Sequence, residues 1–149
     1  MPVASQPRWG RTVADLKQVV DIEAPSERVL EAVSTIEGLS RWWLKRVDGD
    51  ASLGGRIDMG PERNRSAWRV TERDASTFEI ECVEKPKEDE WLGTRVRFEV
   101  VPTGQGTQLR FQHLNLRDET DFFGHCNFWW ASYLRGLRNY AQGGEGRPT

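Results

Sequence analysis

The stretch TDFFGHCNFWWASYLRGLRNYAQ, residues 120–142, carries the strongest signal of secondary structure in this chain. Its apolar residues recur at spacings of three and four, which predicts one long amphipathic helix. At ~1.5 Å per residue the helix spans about 34 Å and can cross a whole small sheet. The centre of its apolar face is predicted to comprise Phe122, Cys126, Trp129, Tyr133, Leu137 and Tyr140. Four further residues widen that face, namely Phe123, Trp130, Leu134 and Ala141.

The two sides of this helix are predicted to differ in their surroundings. Trp129 and Tyr133 lie mid-helix on the apolar face, so we expect them to point inward. The polar side chains expected to point outward are Arg135, Arg138 and Asn139. Gly124 and Gly136 each cost roughly 1 kcal/mol relative to alanine inside a helix, so either can mark a close approach of another backbone.

The sequence before this helix predicts a series of strands, with short helices after the first of them. Residues 16–23 alternate between apolar and polar positions, which predicts a half-buried strand. A short helix is predicted at 25–34, a break at Gly38, and a further helical turn or two at 39–44. Five more alternating strands are predicted, at 55–60, 66–73, 77–84, 94–101 and 107–116. The expected fold is α+β, with a curved antiparallel sheet of about six strands wrapped around the long C-terminal helix.

The length and charge of the chain restrict its class. Its 149 residues fit one domain, and we expect a mobile lead-in at 1–15 followed by a single domain at 16–149. The 21 basic and 23 acidic residues nearly cancel, so we expect no nucleic-acid partner. No apolar run approaches the roughly 18 residues of a membrane span, and residues 1–10 lack the apolar core of a signal peptide. We therefore expect a cytoplasmic protein without a membrane span.

The two cysteines, Cys82 and Cys126, form no CxxC pair and belong to no cluster of metal-ligating residues. In a cytoplasmic protein such thiols are most often small buried hydrophobic groups. We expect neither a metal site nor a cofactor. The adjacent pair His125–Cys126 does not predict nucleophilic chemistry, because neighbouring helix positions diverge by about 100°.

Four stretches of the chain resemble a known superfamily. They are VVDIEAPSERVLEAVSTIEGLSRWW at 19–43, LGGRIDM at 53–59, GTQLRFQHLNL at 106–116 and FWWASYLRGLRNYAQGGEGRP at 128–148. Together they resemble the SRPBCC, or START-like, superfamily with its helix-grip fold. Within it they are most similar to proteins related to the activator of heat-shock-protein-ninety ATPase.

This resemblance implies a deep cavity between the sheet and the long helix. Across the superfamily such cavities hold lipids, sterols, polyketides and other apolar molecules, and in a minority of members they support catalysis. The superfamily has no universal catalytic residues, so the resemblance assigns none here. His113 matches a histidine often seen in the last strand of this subgroup, within Leu-x-x-x-His.

A surplus of aromatic residues on one side of the predicted sheet and helix indicates a ligand cavity. The candidate ligand-binding residues are Trp43, Trp68, Phe98, His113, Trp129 and Tyr133. For His113, a buried neutral imidazole held by a hydrogen bond competes with a role in contacting the ligand. An open space of about 300 Å³ or more beneath Trp129 would favour a ligand, and a filled interior would favour an interaction surface.

Three functions stay open on the sequence. The first, which we favour, is a non-enzymatic module that encloses a hydrophobic small molecule. The second is an enzyme of cyclase, aromatase or hydrolase type in which His113 or Tyr133 acts as acid or base, although no paired carboxylates or triad support it. The third is a protein-interaction domain, either a chaperone co-regulator or a homodimer.

Two carboxylates share strand parity with predicted core residues. Glu72 alternates in phase with Trp68 and Val70, and Glu84 with Ile80 and Cys82. Each is therefore either a polar group at the end of a cavity or a strand-end residue near water.

Overall fold

The computed structural model describes residues 13–86, 91–117 and 120–149. Seven strands form one antiparallel sheet in the spatial order β1-β7-β6-β5-β4-β3-β2. The strands are β1 Val13–Ile22, β2 Val47–Gly49, β3 Arg56–Met59, β4 Ser66–Arg73, β5 Thr77–Glu84, β6 Arg95–Thr103 and β7 Gly106–Arg117. The helices are α1 Ser26–Ser34, α2 Ile36–Trp42 and α3 Asp121–Ala141, and a 3-10 turn lies at Glu62–Asn64. The predicted α+β class is confirmed.

The strand predictions are confirmed with small changes. Strands β4 and β5 have the predicted bounds, because apolar alternation and flanking turn residues both mark their ends. Strand β1 begins at Val13, three residues before the predicted start, so residues 13–15 lie in the sheet rather than in the lead-in. Residues 1–12 of the predicted lead-in lie outside the described residues. Strand β2 was not predicted, because three residues are too short to show alternation.

The break between the first two helices lies at Thr35, and the prediction of a break at Gly38 is wrong. Thr35 is extended, with φ −126° and ψ 154°, and its hydroxyl accepts a hydrogen bond of 2.9 Å from the Gly38 amide. Gly38 lies inside α2, where a Cβ would come within 2.6 Å of the carbonyl oxygens of Glu31 and Ala32. The glycine therefore allows α2 to pack closely against α1.

Helix α3 lies on the sheet with a different residue at its centre from the one predicted. Trp130 is fully buried, whereas Trp129 is 40 % exposed, so the expectation that Trp129 points inward is wrong. Tyr133 is half-buried on the flank of the same face. The helix face centred on Trp129 and the face centred on Trp130 are both apolar, so helical periodicity alone could not indicate which of the two is buried. The outward orientation of Arg135, Arg138 and Asn139 is confirmed.

The C-terminal tail passes between α2 and α3. Its last residue, Thr149, donates its backbone N–H to the Trp43 carbonyl at 3.1 Å and accepts from the Lys45 amide at 3.0 Å. A Cβ on Gly146 would lie 2.3 Å from the Arg41 carbonyl oxygen, and a Cβ on Gly136 would lie 2.3 Å from the Gly146 carbonyl oxygen. Glycine at these positions lets two helices and the tail come into backbone contact.

Within the described ranges, no helix combines the length and apolarity that crossing a membrane requires. The two cysteines are both buried, as predicted.

The two glycines of α3 provide a matched test of this packing. Gly136→Ala is expected to lower the free energy of unfolding by more than about 1 kcal/mol, because the new methyl meets the Gly146 carbonyl. Gly124→Ala is expected to raise it by up to about 1 kcal/mol, because nothing lies within 4 Å of the new methyl and alanine favours the helix. Urea denaturation measures both variants. Equal shifts of the same sign would contradict the close approach at Gly136.

Candidate functional site

Aromatic rings fill the space between α3 and the sheet. The Trp130 ring lies 4.9 Å from that of Trp43 and 4.4 Å from that of Phe111, measured between ring centroids. Trp43 in turn packs on Trp68 at 5.8 Å, and both are buried. Such tilted and edge-to-face pairs add to the free energy gained by burying apolar area. The interior beneath the helix is therefore a packed core at the described residues.

His113 of β7 is buried and joined to a chain of hydrogen bonds. The Trp130 indole N–H donates to His113 Nδ1 at 2.9 Å, and His113 Nε2 lies 2.8 Å from the Thr94 hydroxyl. Because an indole nitrogen can only donate, Nδ1 must accept, which places the imidazole proton on Nε2. That proton points to Thr94 Oγ1, which donates in turn to the Trp91 carbonyl at 2.6 Å.

Burial lowers the pKa of His113 from 6.5 to about 3, because the charged imidazolium would lose its hydration. Both ring nitrogens are occupied by protein partners in the neutral form. His113 thus matches the first of the two predicted alternatives, a buried neutral imidazole held by hydrogen bonds.

Trp91 forms the boundary between this core and the surface. Its ring stacks on Trp130 at 6.0 Å with an interplanar angle of 9°, and meets the His113 ring edge-on at 5.0 Å. Its indole N–H donates to Cys126 Sγ at 3.0 Å. Trp91 is only half-buried, so its exposed part is available to form a surface wall.

A cleft of about 270 Å³ opens beside Trp91, and we call it the aromatic cleft. Its aromatic walls are Trp43, Trp91, Phe122, Trp129 and Tyr133. Its other described lining residues are Leu44, Gly60, Pro61, Asn64, Ser66 and Lys85. Larger hollows of about 580 to 770 Å³ occur elsewhere, but they are more open to solvent and none has an aromatic lining at the described residues.

Polar groups of the aromatic cleft have defined surroundings. The Ser66 hydroxyl accepts the Trp68 indole N–H at 2.8 Å. Lys85 donates to Asn64 Oδ1 at 3.2 Å, and its ammonium lies 5.7 Å from the Trp91 ring centroid. Within the part of the chain that the structure describes, the Tyr133 hydroxyl has no hydrogen-bond partner.

The six predicted ligand-binding residues divide into two groups. Trp43, Trp129 and Tyr133 line the aromatic cleft. Trp68, Phe98 and His113 lie in the packed interior, fully buried. The prediction treated the aromatic surplus as the lining of one deep cavity, whereas most of these rings pack on one another.

Sequence reasoning did not assign Trp91, Phe122 or Lys85 to the site. Trp91 was one of the surplus tryptophans, and its position directly after a charged, proline-containing loop was an available signal. Lys85 is the first residue of that segment.

Glu72 and Glu84, which strand alternation placed on the same face as core residues, lie on the outer face of the sheet. Register shifts between Val70 and Glu72 and between Ala67 and Trp68 indicate β-bulges, which invert the side-chain alternation. Glu72 pairs with Arg97, and Glu84 pairs with Arg56 at 2.7 Å. The hydrogen bond to Glu72 is the main reason that the pKa of Arg97 is raised.

Among residues 13–86, 91–117 and 120–149, no three His, Cys, Asp or Glu side chains are grouped to hold a metal ion.

Comparison with known families gives one match that covers most of the chain. A family described as polyketide cyclase / dehydrase and lipid transport matches residues 13–139. No curated protein sequence matches the chain.

Several solved structures share the fold. The solution structure of the Aha1 dimer from Colwellia psychrerythraea is 26 % identical, with a TM-score of 0.78 over 90 % of this chain and 98 % of that one. The protein MLL2253 from Mesorhizobium loti is 19 % identical, with a TM-score of 0.74 over 84 % and 94 %. DynU16, a protein of the dynemicin biosynthetic locus, is 13 % identical, with a TM-score of 0.76 over 89 % of this chain and 48 % of its own.

The buried neutral His113 predicts a specific loss of stability in acid. Its pKa is about 3 in the folded protein and near 6.5 when unfolded, so between these values only the unfolded chain takes up the proton. The free energy of unfolding should therefore fall with decreasing pH, by up to about 1.4 kcal/mol per pH unit from this residue.

Urea denaturation between about pH 7 and pH 5 tests this expectation. His113→Gln should give a shallower pH dependence than the wild type, because glutamine does not titrate. His125→Gln, at an exposed position of α3, is the matched control for the substitution of a histidine by glutamine. Parallel curves for His113→Gln and the wild type would show that His113 is not held neutral.

Proposed function

The chain belongs to the polyketide cyclase / dehydrase and lipid transport family, and on that premise we propose that it binds a small apolar or aromatic molecule in the aromatic cleft. The molecule is lipid-like or polyketide-like. The observation that supports this most directly is the cleft itself, where five aromatic side chains surround about 270 Å³. The interior beneath α3 is filled, which is the outcome that the sequence analysis associated with an interaction surface, and the aromatic cleft of about 270 Å³ lies at the surface. The proposed ligand therefore lies at the mouth of the fold and not beneath α3.

The walls of the aromatic cleft are held in place before any ligand arrives. Trp43 is buried against four other aromatic rings, and Trp91 is fixed by its hydrogen bond to Cys126 and by stacking on Trp130. Rigid walls reduce the conformational entropy that binding would otherwise cost. The Tyr133 hydroxyl adds one group that can donate to or accept from a ligand oxygen.

The alternative that the protein is an enzyme loses support at His113, one of its two candidate acid or base residues. An acid or base must reach the proton that it transfers, and His113 is buried with both nitrogens engaged. Its low pKa also disfavours an imidazolium acid near neutral pH. Tyr133 is the remaining candidate for such chemistry in the aromatic cleft.

Binding can be measured with a neutral dye such as N-phenyl-1-naphthylamine, whose fluorescence rises in apolar surroundings. The native protein should enhance this fluorescence, and a hydrophobic competitor should reverse the increase. Trp129→Ala should weaken binding about tenfold, because it removes one aromatic wall of the cleft.

Phe128→Ala is the matched control for the dye experiment. Phe128 is the neighbouring aromatic residue of α3, is 70 % exposed and does not line the cleft, so its removal should leave affinity unchanged. Equal losses in both variants would place the dye elsewhere. No enhancement by the native protein, together with no binding across a panel of lipids and aromatic compounds, would exclude the proposed function.

A second candidate function is self-association through the exposed face of α3. Phe128, which is 70 % exposed, and Trp129, which is 40 % exposed, are neighbouring large apolar side chains on α3, and the similar Colwellia protein is a dimer. Sedimentation velocity should then show a dimer that Phe128→Asp dissociates and Arg138→Asp leaves intact. A monomer at all concentrations tested would remove this candidate.

A further inference from the structure

Ser66 is a buried side chain of the aromatic cleft that has a hydrogen bond left to form. It is the first residue of β4 and is 5 % exposed, yet it lines the cleft. Its oxygen accepts the Trp68 indole N–H at 2.8 Å, and since an indole nitrogen can only donate, the serine proton takes no part in this bond. Within the part of the chain that the structure describes, no group accepts that proton. A buried hydroxyl proton without an acceptor costs free energy, so an acceptor brought by a ligand would be stabilised there.

Tyr133 gives the cleft a second hydroxyl, and packing holds its ring in place. The ring lies 6.5 Å from that of Trp43 and 5.6 Å from that of Trp130, measured between centroids. Trp43 also packs on Trp68, whose indole bonds to Ser66, so one buried ring supports both hydroxyl-bearing residues. A phenol and an alcohol each have one proton to donate. The cleft therefore presents two hydrogen-bond donors among its aromatic walls.

We propose that Ser66 and Tyr133 select flat apolar ligands that carry a carbonyl oxygen, to which the two hydroxyls donate hydrogen bonds. The inference rests on the proposed function, since it specifies the ligand of the same cleft. The aromatic walls contact the body of the ligand, and the two lone pairs of a carbonyl oxygen can accept from both residues. A neutral carbonyl needs no charged partner, so this recognition does not depend on the charges around the cleft.

A ligand without an acceptor fits these two hydroxyls less well. A ligand that only donates would compete with the Trp68 indole for the oxygen of Ser66 and would leave the serine proton without an acceptor. A hydrocarbon would leave the protons of both hydroxyls unpaired once water is displaced from the cleft. A ketone or an ester supplies the missing acceptor, and its carbon framework matches the aromatic lining.

The test compares 2-acetonaphthone with 2-isopropenylnaphthalene, in which a methylene group replaces the carbonyl oxygen and the shape is nearly unchanged. The dissociation constant of each probe is measured by its displacement of bound N-phenyl-1-naphthylamine. Because the two probes differ in hydration, the quantity compared between variants is the ratio of their affinities.

Tyr133→Phe keeps the ring and removes the hydroxyl. It should weaken the binding of 2-acetonaphthone about fivefold and leave that of 2-isopropenylnaphthalene unchanged, because only the ketone loses a hydrogen bond. Tyr140→Phe is the matched control and should keep the wild-type ratio. Tyr140 is the second of the two tyrosines, is also half-buried on α3 and does not line the cleft.

Ser66→Ala removes the other donor and should also lower the ratio about fivefold. This variant takes away the acceptor of the Trp68 indole as well, and any general loosening of the walls weakens both probes. The ratio of the two affinities cancels that common loss and isolates the hydrogen bond to the ketone. Circular dichroism of each variant confirms that the comparison is made on folded protein.

The outcomes separate this inference from the function on which it rests. If the ratio in Tyr133→Phe or in Ser66→Ala equals that of the wild type, the inference is wrong, while binding of the probes leaves the proposed function standing. An equal fall of the ratio in Tyr140→Phe would also contradict it, because the effect would then not belong to the cleft. If neither probe binds the wild type, the proposed function itself fails.

Discussion

The hydrogen bond from the Trp130 indole to His113 fixes how the long helix lies on the sheet. It joins the middle of α3 to the middle of β7, and both side chains are fully buried. An unsatisfied indole N–H or imidazole nitrogen in this interior would cost free energy, so other rotations of the helix are disfavoured. Burial in turn keeps His113 neutral, and only the neutral ring can accept this hydrogen bond at Nδ1.

Much of the fold could be predicted from the sequence because its local signals agree with one another. Alternation and turn residues together marked β4 and β5, and helical periodicity marked α3. The likeness to the helix-grip superfamily was also correct. Strand β2 and the bulges of β4 were missed, because neither a three-residue strand nor an extra unpaired residue alters a pattern of period two enough to detect.

The candidate site was harder to predict, because two adjacent aromatic stripes on α3 satisfy the same periodicity. Trp129 and Trp130 differ by one position, and the contacts that distinguish them, among them the hydrogen bond from Trp130 to His113 on β7, are tertiary and cannot be read from helical periodicity. Choosing Trp129 for the interior placed the expected cavity beneath the helix. With Trp130 there instead, its ring fills that space, and Trp129 stands at the edge of the aromatic cleft. A difference of one helix position thus moves the candidate site from the core to the surface.

Trp91 determines how large a ligand the aromatic cleft can hold without repacking of the core. It lines the cleft, yet its ring also stacks on Trp130 and its N–H donates to the buried sulfur of Cys126. The carbonyl of Trp91 also accepts the hydroxyl of Thr94, which is the partner of His113. Displacing Trp91 would therefore disturb the same hydrogen bonds that position α3, at a free-energy cost that a loosely held ligand could not offset. A molecule confined to the cleft would leave these bonds intact, so under the proposed function a small ligand is expected.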